Sequence, residues 1–368
     1  MMTIGAEKSF REWSANIRKA QLHDGRIPGI VPTDTWGFAW GNGPAWDRIL
    51  FELPYVIYKY RGETELIMEN ATAMMRYLEY VSKQRDEKGI VAIGLGDWVP
   101  VGRIAHDYQA PLGFTDSTMV YWMCREAEEM FDAVGLTLNR DYAKAFGKEI
   151  REAIRKEYID FSSMTVKSCC QSAQSMAIFY DIFENGEKPA AFNRLMEIIV
   201  QDDEKFTSGF LGLRVICHVL SQFGESELAY RMITGTEFPS YGYFVELGMT
   251  TLPESLQILP DASDNHHFLG DFVQWFMRYP AGLNVLNHKR VAIRPKFIEK
   301  LDFAEASHIL PDGEVKVKWH KDGENIVLDV ICPETVECEI ELENGWFFVE
   351  NKKLWEKAGT GTYIIGVK

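Results

Sequence analysis

Residues 44–82 read PAWDRILFELPYVIYKYRGETELIMENATAMMRYLEYVS, and this stretch has the pattern of two helices joined at a glycine. Its second half repeats apolar residues at spacings of three and four, which places them on one helical face. These residues are Ile67, Ala71, Met74, Leu78 and Val81. Gly62 stands where the first helix would end, because glycine tolerates the left-handed backbone that closes a helix. The segment therefore predicts a helical hairpin.

The same helical period continues from the N-terminal segment to about residue 285. A first helix is indicated by Phe10, Trp13, Ile17 and Ala20 on one face. Further candidate helices cover about 44–61, 117–134, 139–159, 169–184, 189–201, 210–223, 225–233 and 267–279. Gly135, Gly186 and Gly224 resemble Gly62 as helix ends with a positive φ. About ten helices paired by short connections predict a mainly α toroid of stacked hairpins rather than a four-helix bundle.

After about residue 289 the apolar period changes to two, which is typical of strands. The predicted strands are VKVKW at 315–319, NIVLDVI at 325–331, VECEIEL at 336–342 and TYIIGVK at 362–368. Asp312-Gly313 and Asp322-Gly323 are hairpin turn signals. We therefore predict a helical domain at 1–288 and a small antiparallel β-sandwich domain at 289–368.

The composition and net charge of the chain exclude some classes of binding partner. The 368-residue chain is 46% hydrophobic, and its formal net charge of -15 argues against nucleic acid and against anionic membranes. A neutral sugar fits this charge. The first residues lack the apolar core of a signal peptide, and no apolar run is long enough for a transmembrane helix. Six cysteines without a zinc-binding spacing are interpreted as reduced thiols, so we expect a cytoplasmic protein.

Three long loops, at 24–47, 89–116 and 235–266, concentrate aromatic and acidic residues. Flat aromatic rings stack on sugar rings and carboxylates bind hydroxyl groups, so the loops are candidates for a carbohydrate site. The candidates are Trp36, Trp40, Trp46, Asp47, Asp97, Trp98, Glu246, Glu254, Asp264 and His266. The alternative is that the tryptophans are core residues and the carboxylates cap helices. The sequence contains no phosphate loop, dinucleotide fingerprint or zinc-protease motif, and we expect neither a cofactor nor a metal.

Several stretches resemble motifs of the bacterial α-L-rhamnosidases, glycoside hydrolase family 78, in the same order. They are DGRIPGIVP at 24–32, PAWDRILFELPYVIYKYRGE at 44–63, GDWV at 96–99, TSGFLG at 207–212, PSYGYFVELGMTTLPE at 239–254 and DNHHFLGDFVQWFMRYPAGL at 264–283. The resemblance covers nearly the whole chain. It implies an (α/α)6 barrel with a C-terminal β-sandwich, and inverting cleavage of terminal α-L-rhamnosides.

The resemblance also implies roles for individual residues. Glu254 corresponds to the general base, although Pro253 stands where the family has tryptophan; the alternative is a carboxylate in the first turn of a helix. Asp97 is a weaker catalytic candidate, with an ordinary turn aspartate as its alternative. For His266 the alternative is a cap or core histidine. The substrate-binding candidates are Trp36, Trp40, Trp46, Asp47, Trp98, Glu246 and His266.

One family feature has no counterpart in this sequence. The general acid of the family lies in a DCPxRE motif upstream of the DGxxP loop, and only 23 residues precede Asp24 here. Ten predicted helices, where the barrel has twelve, also imply that the first helices are missing. Three explanations stay open: a fragment of a longer product, a barrel completed by a partner chain or a second copy, and a sugar-binding protein without catalysis.

Overall fold

The computed structural model describes residues 5–33, 37–104, 106–259 and 262–367. Helices dominate as far as residue 278. They are α1 (Glu7–Ala20), α2 (Pro44–Asp47), α3 (Ile49–Arg61), α4 (Glu65–Ser82), α5 (Leu112–Ala133), α6 (Thr137–Tyr158), α7 (Gln171–Phe179), α8 (Lys188–Gln201), α9 (Phe210–Gln222), α10 (Ser226–Thr234), α11 (Tyr241–Glu246) and α12 (Asp271–Arg278). A 3-10 turn, His267–Gly270, precedes α12. The helix predicted at 44–61 is divided at Arg48, and α11 was not predicted.

The helices form two layers, and their sequences differ accordingly. Eight of the nine residues of α7 and ten of the 13 residues of α9 are buried. In contrast, only five of the 22 residues of α6 and five of the 14 residues of α8 are buried. A helix that is buried all round lies inside the fold, and an amphipathic helix covers it.

Four hairpins, α3–α4, α5–α6, α7–α8 and α9–α10, place their first helix in the inner layer. Each inner helix contacts the next one, and α12 continues the series after α9. α1 packs on α3 and α4. The described residues contain ten helices of eight residues or more. The predicted toroid of stacked hairpins is confirmed.

Most of the predicted helix ends also agree with the structure. Gly62, Gly135 and Gly224 have φ values of 73°, 73° and 93°. Gly186 does not have a positive φ, so its prediction is wrong; α8 begins two residues later with a proline in its first turn. No helix in the described part of the chain is both long enough and apolar enough to span a membrane.

The C-terminal region is a β-sandwich. A small hairpin of β1 (Ile159–Asp160) and β2 (Thr165–Val166) lies in the helical part. The sandwich contains β3 (Leu283–Asn287), β4 (Arg290–Ile293), β5 (Phe303–Leu310), β6 (Gly313–Asp322), β7 (Asn325–Ile331), β8 (Glu337–Glu341), β9 (Trp346–Phe348), β10 (Trp355–Ala358) and β11 (Gly361–Val367). One sheet has the order β10-β8-β4-β3 and the other β5-β6-β7-β11-β9.

Pairing in the sandwich is antiparallel except between β4 and β8, which run parallel, so the prediction of a purely antiparallel domain needs this correction. The two predicted turns join β5 to β6 and β6 to β7. Trp319 is fully buried between the sheets, and its indole N–H donates to the carbonyl of Pro280 at 2.7 Å. Residues 288–289, the predicted domain boundary, lie in the turn between β3 and β4; that boundary stays a prediction.

Candidate functional site

Asp97 joins the candidate loop at 89–116 to the N-terminus of α9 and to α7. Its carboxylate accepts the backbone N–H groups of Gly209, Leu211 and Gly212 at 2.9–3.0 Å, and the hydroxyl of Ser172 also donates to it. Burial raises the pKa of Asp97, although these four donors act in the opposite direction. The carboxylate thus caps the N-terminus of α9, where backbone N–H groups have no partner within the helix.

The TSGFLG motif is explained by the close approach of this loop to α9. A Cβ atom on Gly209 would lie 2.5 Å from the carbonyl oxygen of Trp98, and one on Gly212 would lie 2.3 Å from the hydroxyl of Ser172. Only glycine leaves room for these contacts. The backbone N–H of Phe210 then donates to the carbonyl of Trp98 at 3.2 Å. The first residue of α9 is therefore fixed beside Trp98.

Three aromatic rings from three elements meet at this end of the toroid. Trp46 on α2 lies 6.5 Å from Phe210 and 6.2 Å from Phe268, measured between ring centroids. Phe210 and Phe268 lie 4.5 Å apart in an edge contact. Phe268 remains 38% exposed, so this cluster has an open side. An open aromatic surface of this kind suits the C–H face of a sugar.

Glu254 and His266 lie beside the aromatic cluster. The imidazole of His266 lies 4.0 Å from the ring of Phe268, and its Nδ1 is 4.0 Å from Oε2 of Glu254. Both side chains are partly exposed, at 28% for Glu254 and 23% for His266. Burial lowers the pKa of His266, against the opposing effect of the Glu254 carboxylate. A neutral imidazole therefore lies next to a carboxylate that solvent reaches.

Backbone pairing keeps this pair in place. The N–H of Glu254 donates to the carbonyl of Ser263 at 2.8 Å, and the N–H of His266 donates to the carbonyl of Leu252 at 2.7 Å. Residues 251–259 contain no helix. The alternative that placed Glu254 in the first turn of a helix is therefore wrong.

Hydrogen bonds of Gln257 join the segment that contains Glu254 to the loop that follows Trp98. The side chain of Gln257 accepts the N–H of Gly102 at 2.9 Å and donates to the carbonyl of Arg103 at 2.5 Å. Loops 89–116 and 235–266, which the sequence placed in one site, are thus in direct contact.

Trp40 and Trp98 form an aromatic wall next to Phe210. Trp40 contacts Trp98 edge-on at 5.8 Å, and Trp98 contacts His106 at 4.8 Å. His106 in turn shares a 3.1 Å hydrogen bond with the hydroxyl of Tyr108. Trp98 is only 8% exposed, whereas Trp40 is 37% exposed. Trp40 is therefore the better placed of the two to contact a ligand.

Asp47 lies below the surface and belongs to a buried acidic pair. Its Oδ2 accepts the N–H of Gly43 at 2.9 Å and the hydroxyl of Tyr77 at 2.7 Å. Asp116 on α5 accepts the N–H groups of Ile93 and Gly94, both at 2.8 Å. Burial raises the pKa of Asp47 to about 8 and that of Asp116 to about 7. At neutral pH much of this pair is protonated.

An ion-pair network joins the inner helices of the toroid. Two of its residues, Arg48 and Arg214, follow Trp46 and Phe210 closely in the sequence. Arg48 pairs with Glu126 at 2.6 Å and with Glu52 at 3.4 Å, and Glu52 pairs with Arg214 at 2.7 Å. These residues come from the segment around α3, from α5 and from α9. The network therefore connects three of the inner helices.

The structure brings together only part of the predicted site. Glu254, His266 and Trp46 meet around Phe268, with Trp40 and Trp98 on the adjoining wall. Asp97 and Asp47 are instead buried and hydrogen-bonded to donors of the protein, so we correct both assignments: neither carboxylate is open to a sugar. The remaining candidates do not join the cluster: Glu246 and Asp264 are exposed on the surface, and Trp36 lies outside the described residues.

Sequence reasoning missed two residues of the aromatic cluster. Phe210 and Phe268 both stand inside motifs that the sequence analysis quotes, TSGFLG and DNHHFLG, but neither was among the candidate site residues. A 3-10 turn before α12 is what brings Phe268 beside His266. Its place two residues after His266, a candidate site residue, was the available signal.

Comparison with known proteins gives a family match over most of the chain. Residues 1–279 match the family model described as the bacterial alpha-L-rhamnosidase 6 hairpin glycosidase domain. Residues 287–346 match the bacterial alpha-L-rhamnosidase C-terminal domain. The two models cover the helical toroid and most of the sandwich in the order in which the structure contains them.

Similar proteins include the alpha-L-rhamnosidases of Alteromonas sp. (strain LOR) and Streptomyces avermitilis. Each is 26% identical, over 89% and 92% of this chain. The chain spans only 38% and 33% of the length of these two relatives.

Solved structures show the same fold. The alpha-L-rhamnosidase from Dictyoglumus thermophilum has a TM-score of 0.88 at 22% identity, covering 99% of this chain and 44% of that one. The Streptomyces avermitilis alpha-L-rhamnosidase complexed with L-rhamnose has a TM-score of 0.86 at 23% identity, covering 99% and 36%.

Proposed function

Because the chain belongs to the bacterial α-L-rhamnosidase six-hairpin glycosidase family, we propose that it hydrolyses terminal α-L-rhamnosides with inversion at the anomeric carbon. The observation that carries this proposal is the contact between Glu254 and His266 beside the open aromatic surface of Trp46 and Phe268. A carboxylate, a neutral imidazole and an apolar ring surface are the groups that a pyranose pocket needs.

In this mechanism Glu254 acts as the general base. A water molecule held by its carboxylate attacks the anomeric carbon from the face opposite the leaving oxygen, and Glu254 takes the proton of that water. Nδ1 of His266 lies 4.0 Å from the Glu254 carboxylate and has no hydrogen-bond partner among the described residues, so it is placed to bind a sugar hydroxyl beside the base. Trp46, Phe268 and Trp40 stack on the sugar and restrict its orientation.

The leaving oxygen also needs a proton donor. Within the part of the chain that the structure describes, the carboxyl groups with a raised pKa are Asp47, Asp97, Asp116 and Glu126, and all four are buried. This observation favours a second candidate function, a protein that binds a sugar without cleaving it. It equally suits a barrel whose acid comes from a partner chain.

We also propose that the protein is cytoplasmic. All six cysteines are free thiols, and free thiols are typical of proteins in a reducing compartment.

Hydrolysis of 4-nitrophenyl α-L-rhamnopyranoside tests the first candidate. The chain is expected to release nitrophenol, and Glu254→Gln is expected to reduce the rate by about two to four orders of magnitude. Glu246→Gln, which changes an exposed glutamate at the end of α11, is the matched control and should leave the rate unchanged. Equal rates for the parent chain and Glu254→Gln would contradict the assignment of the base.

Titration calorimetry with L-rhamnose separates the candidates. Heat of binding without release of nitrophenol favours the sugar-binding protein. If size-exclusion chromatography then shows a complex with a second polypeptide, and that complex cleaves the substrate, the partner-chain explanation holds. Absence of both binding and cleavage would refute a rhamnoside site in this chain.

A further inference from the structure

The outer surface of the four-stranded sheet carries a pattern that the proposed active site does not use. Cys338 and Ile340 on β8 are buried in the sandwich core, so the three residues that alternate with them project outward. These residues are Glu337, Glu339 and Glu341. On β10, the strand at the edge of the sheet, Trp355 stands directly opposite Glu341 and is 52% exposed.

Cations border the three glutamates on both sides. Arg290 on β4 stands opposite Glu337, and Lys357 on β10 stands opposite Glu339. Arg294, just after β4, pairs with Glu341 at 2.8 Å. Three glutamates and three cations give this surface a formal charge of zero, in a chain whose net charge is -15. A neutral ligand is therefore favoured over a charged polymer.

Glu339 lies at the centre of the surface, and its contacts are long. Its Oε2 accepts the indole N–H of Trp355 at 3.4 Å, and its Oε1 lies 3.4 Å from Arg290 and 3.7 Å from Arg294. A typical N–H···O hydrogen bond is about 2.9 Å. The carboxylate and the two guanidinium groups therefore retain capacity for ligand hydroxyls without breaking a short bond.

We propose that this surface is a second carbohydrate-binding site, separate from the pocket of Glu254 and His266, and that it binds a neutral polysaccharide chain. The exposed indole of Trp355 stacks on the C–H face of one sugar ring. Glu339 and the neighbouring arginines bind the hydroxyl groups of that ring and of the next one. A protein partner would need several apolar anchors, whereas this surface offers one aromatic ring among six charged groups.

The choice of a carbohydrate ligand rests on the proposed function, but the binding test does not need cleavage. The full chain carrying Glu254→Gln is run in native gels that contain either a neutral polysaccharide with terminal α-L-rhamnosyl branches or dextran. We expect the rhamnosyl polysaccharide, dextran, or both to retard the protein. Adding Trp355→Ala should raise the dissociation constant at least about tenfold. Glu339→Gln, which keeps the size of the side chain, should weaken retardation to a smaller extent.

Phe303→Ala is the matched control, because Phe303 is an exposed aromatic residue on the other sheet, at 63% exposure. It should leave retardation unchanged. The inference is overturned if neither polysaccharide retards the protein, or if Trp355→Ala is retarded as strongly as its parent. It is also overturned if Trp355→Ala only dissociates a dimer, because the surface would then join two copies of the chain.

Activity provides an independent readout. With Glu254 intact, Trp355→Ala should hydrolyse the small nitrophenyl rhamnoside at the parental rate, since a small substrate does not reach the β-sandwich surface. Failure of the parent to hydrolyse that substrate would refute the proposed function alone, and retardation in the gel would still decide the surface site.

Discussion

Raising the pH should destabilise the protein through its buried acidic pair. Asp47 has its pKa raised from 3.8 to about 8 by burial, with a contribution from the charge of Asp116. Because the folded state holds this proton more tightly than the unfolded state, the stabilisation is complete below pH 3.8 and is lost as the pH rises through 8. One pKa unit corresponds to about 1.4 kcal/mol, so the free energy of unfolding should fall by about 4 kcal/mol between pH 5 and pH 9.

The variant Asp47→Asn isolates this effect, because asparagine cannot ionise. With its side-chain oxygen at the position of Oδ2, asparagine can still accept both the N–H of Gly43 and the hydroxyl of Tyr77. Asp116→Asn should act in the same direction, since burial raises the pKa of Asp116 to about 7. The two effects should not be additive, because each ionised carboxylate opposes ionisation of the other.

Urea unfolding at pH 5, 7 and 9, followed by tryptophan fluorescence, measures the free energy of each variant. The loss between pH 5 and pH 9 should be smaller in Asp47→Asn than in the parent by about 4 kcal/mol. Asp264→Asn, an exposed aspartate, is the control and should lose as much stability as the parent. The reasoning is refuted if Asp47→Asn and the parent lose equal stability over this range.

Four further substitutions and one double variant test the site and the residues that support it. Asp97→Ala leaves three backbone N–H groups without their acceptor and should lower the free energy of unfolding by about 2–4 kcal/mol in urea titrations; wild-type stability would contradict the capping role. Arg48→Met should lower the free energy of unfolding by about 3–5 kcal/mol, because it leaves the buried Glu126 without its charged partner. Glu126→Gln should cost less, because Arg48 keeps Glu52 at 3.4 Å, and the double variant should cost less than the sum of the two; additive costs would show that the pair is not coupled. Phe268→Ala should weaken L-rhamnose binding about tenfold or more in calorimetry while circular dichroism stays unchanged; unaltered binding would exclude Phe268 from the pocket.

The helical part of the fold was predictable because its signals are local. The period of three and four residues in α4 and the glycine at position 62 specify a helix and its end without reference to the rest of the chain. The parallel pairing of β4 with β8 was not predictable in this way. These strands are separated by more than 40 residues, and the alternation of residues in each strand is the same for a parallel and an antiparallel neighbour.

The sequence predicted which loops form the site, but it did not predict what each acidic residue does there. Asp97 and Glu254 are both acidic residues in quoted motifs, and the sequence ranked both as catalytic candidates. The structure separates them by what surrounds each carboxylate. Three short backbone N–H bonds and a serine hydroxyl surround Asp97, whereas Glu254 has one long N–H contact from Ser263 at 3.4 Å, a nearby imidazole and solvent. Those donors come from residues more than 70 positions away from Asp97, so no local pattern reports them.

Charged residues of the inner helices follow the aromatic-cluster residues closely in the sequence. Arg48 follows Trp46 by two residues, Arg214 follows Phe210 by four, and Asp271 follows Phe268 by three. On a helix a spacing of three or four residues places the second residue about one turn further along the axis, which applies to Arg214 and Asp271. Arg214 and Asp271 therefore follow, by one turn, the rings that would hold a sugar. Oδ2 of Asp271 lies 2.8 Å from Nε2 of His218 on α9. Because these ion pairs join the segment that carries Trp46 to α5 and to the helix that carries Phe210, loss of an ion pair should shift those rings and weaken sugar binding.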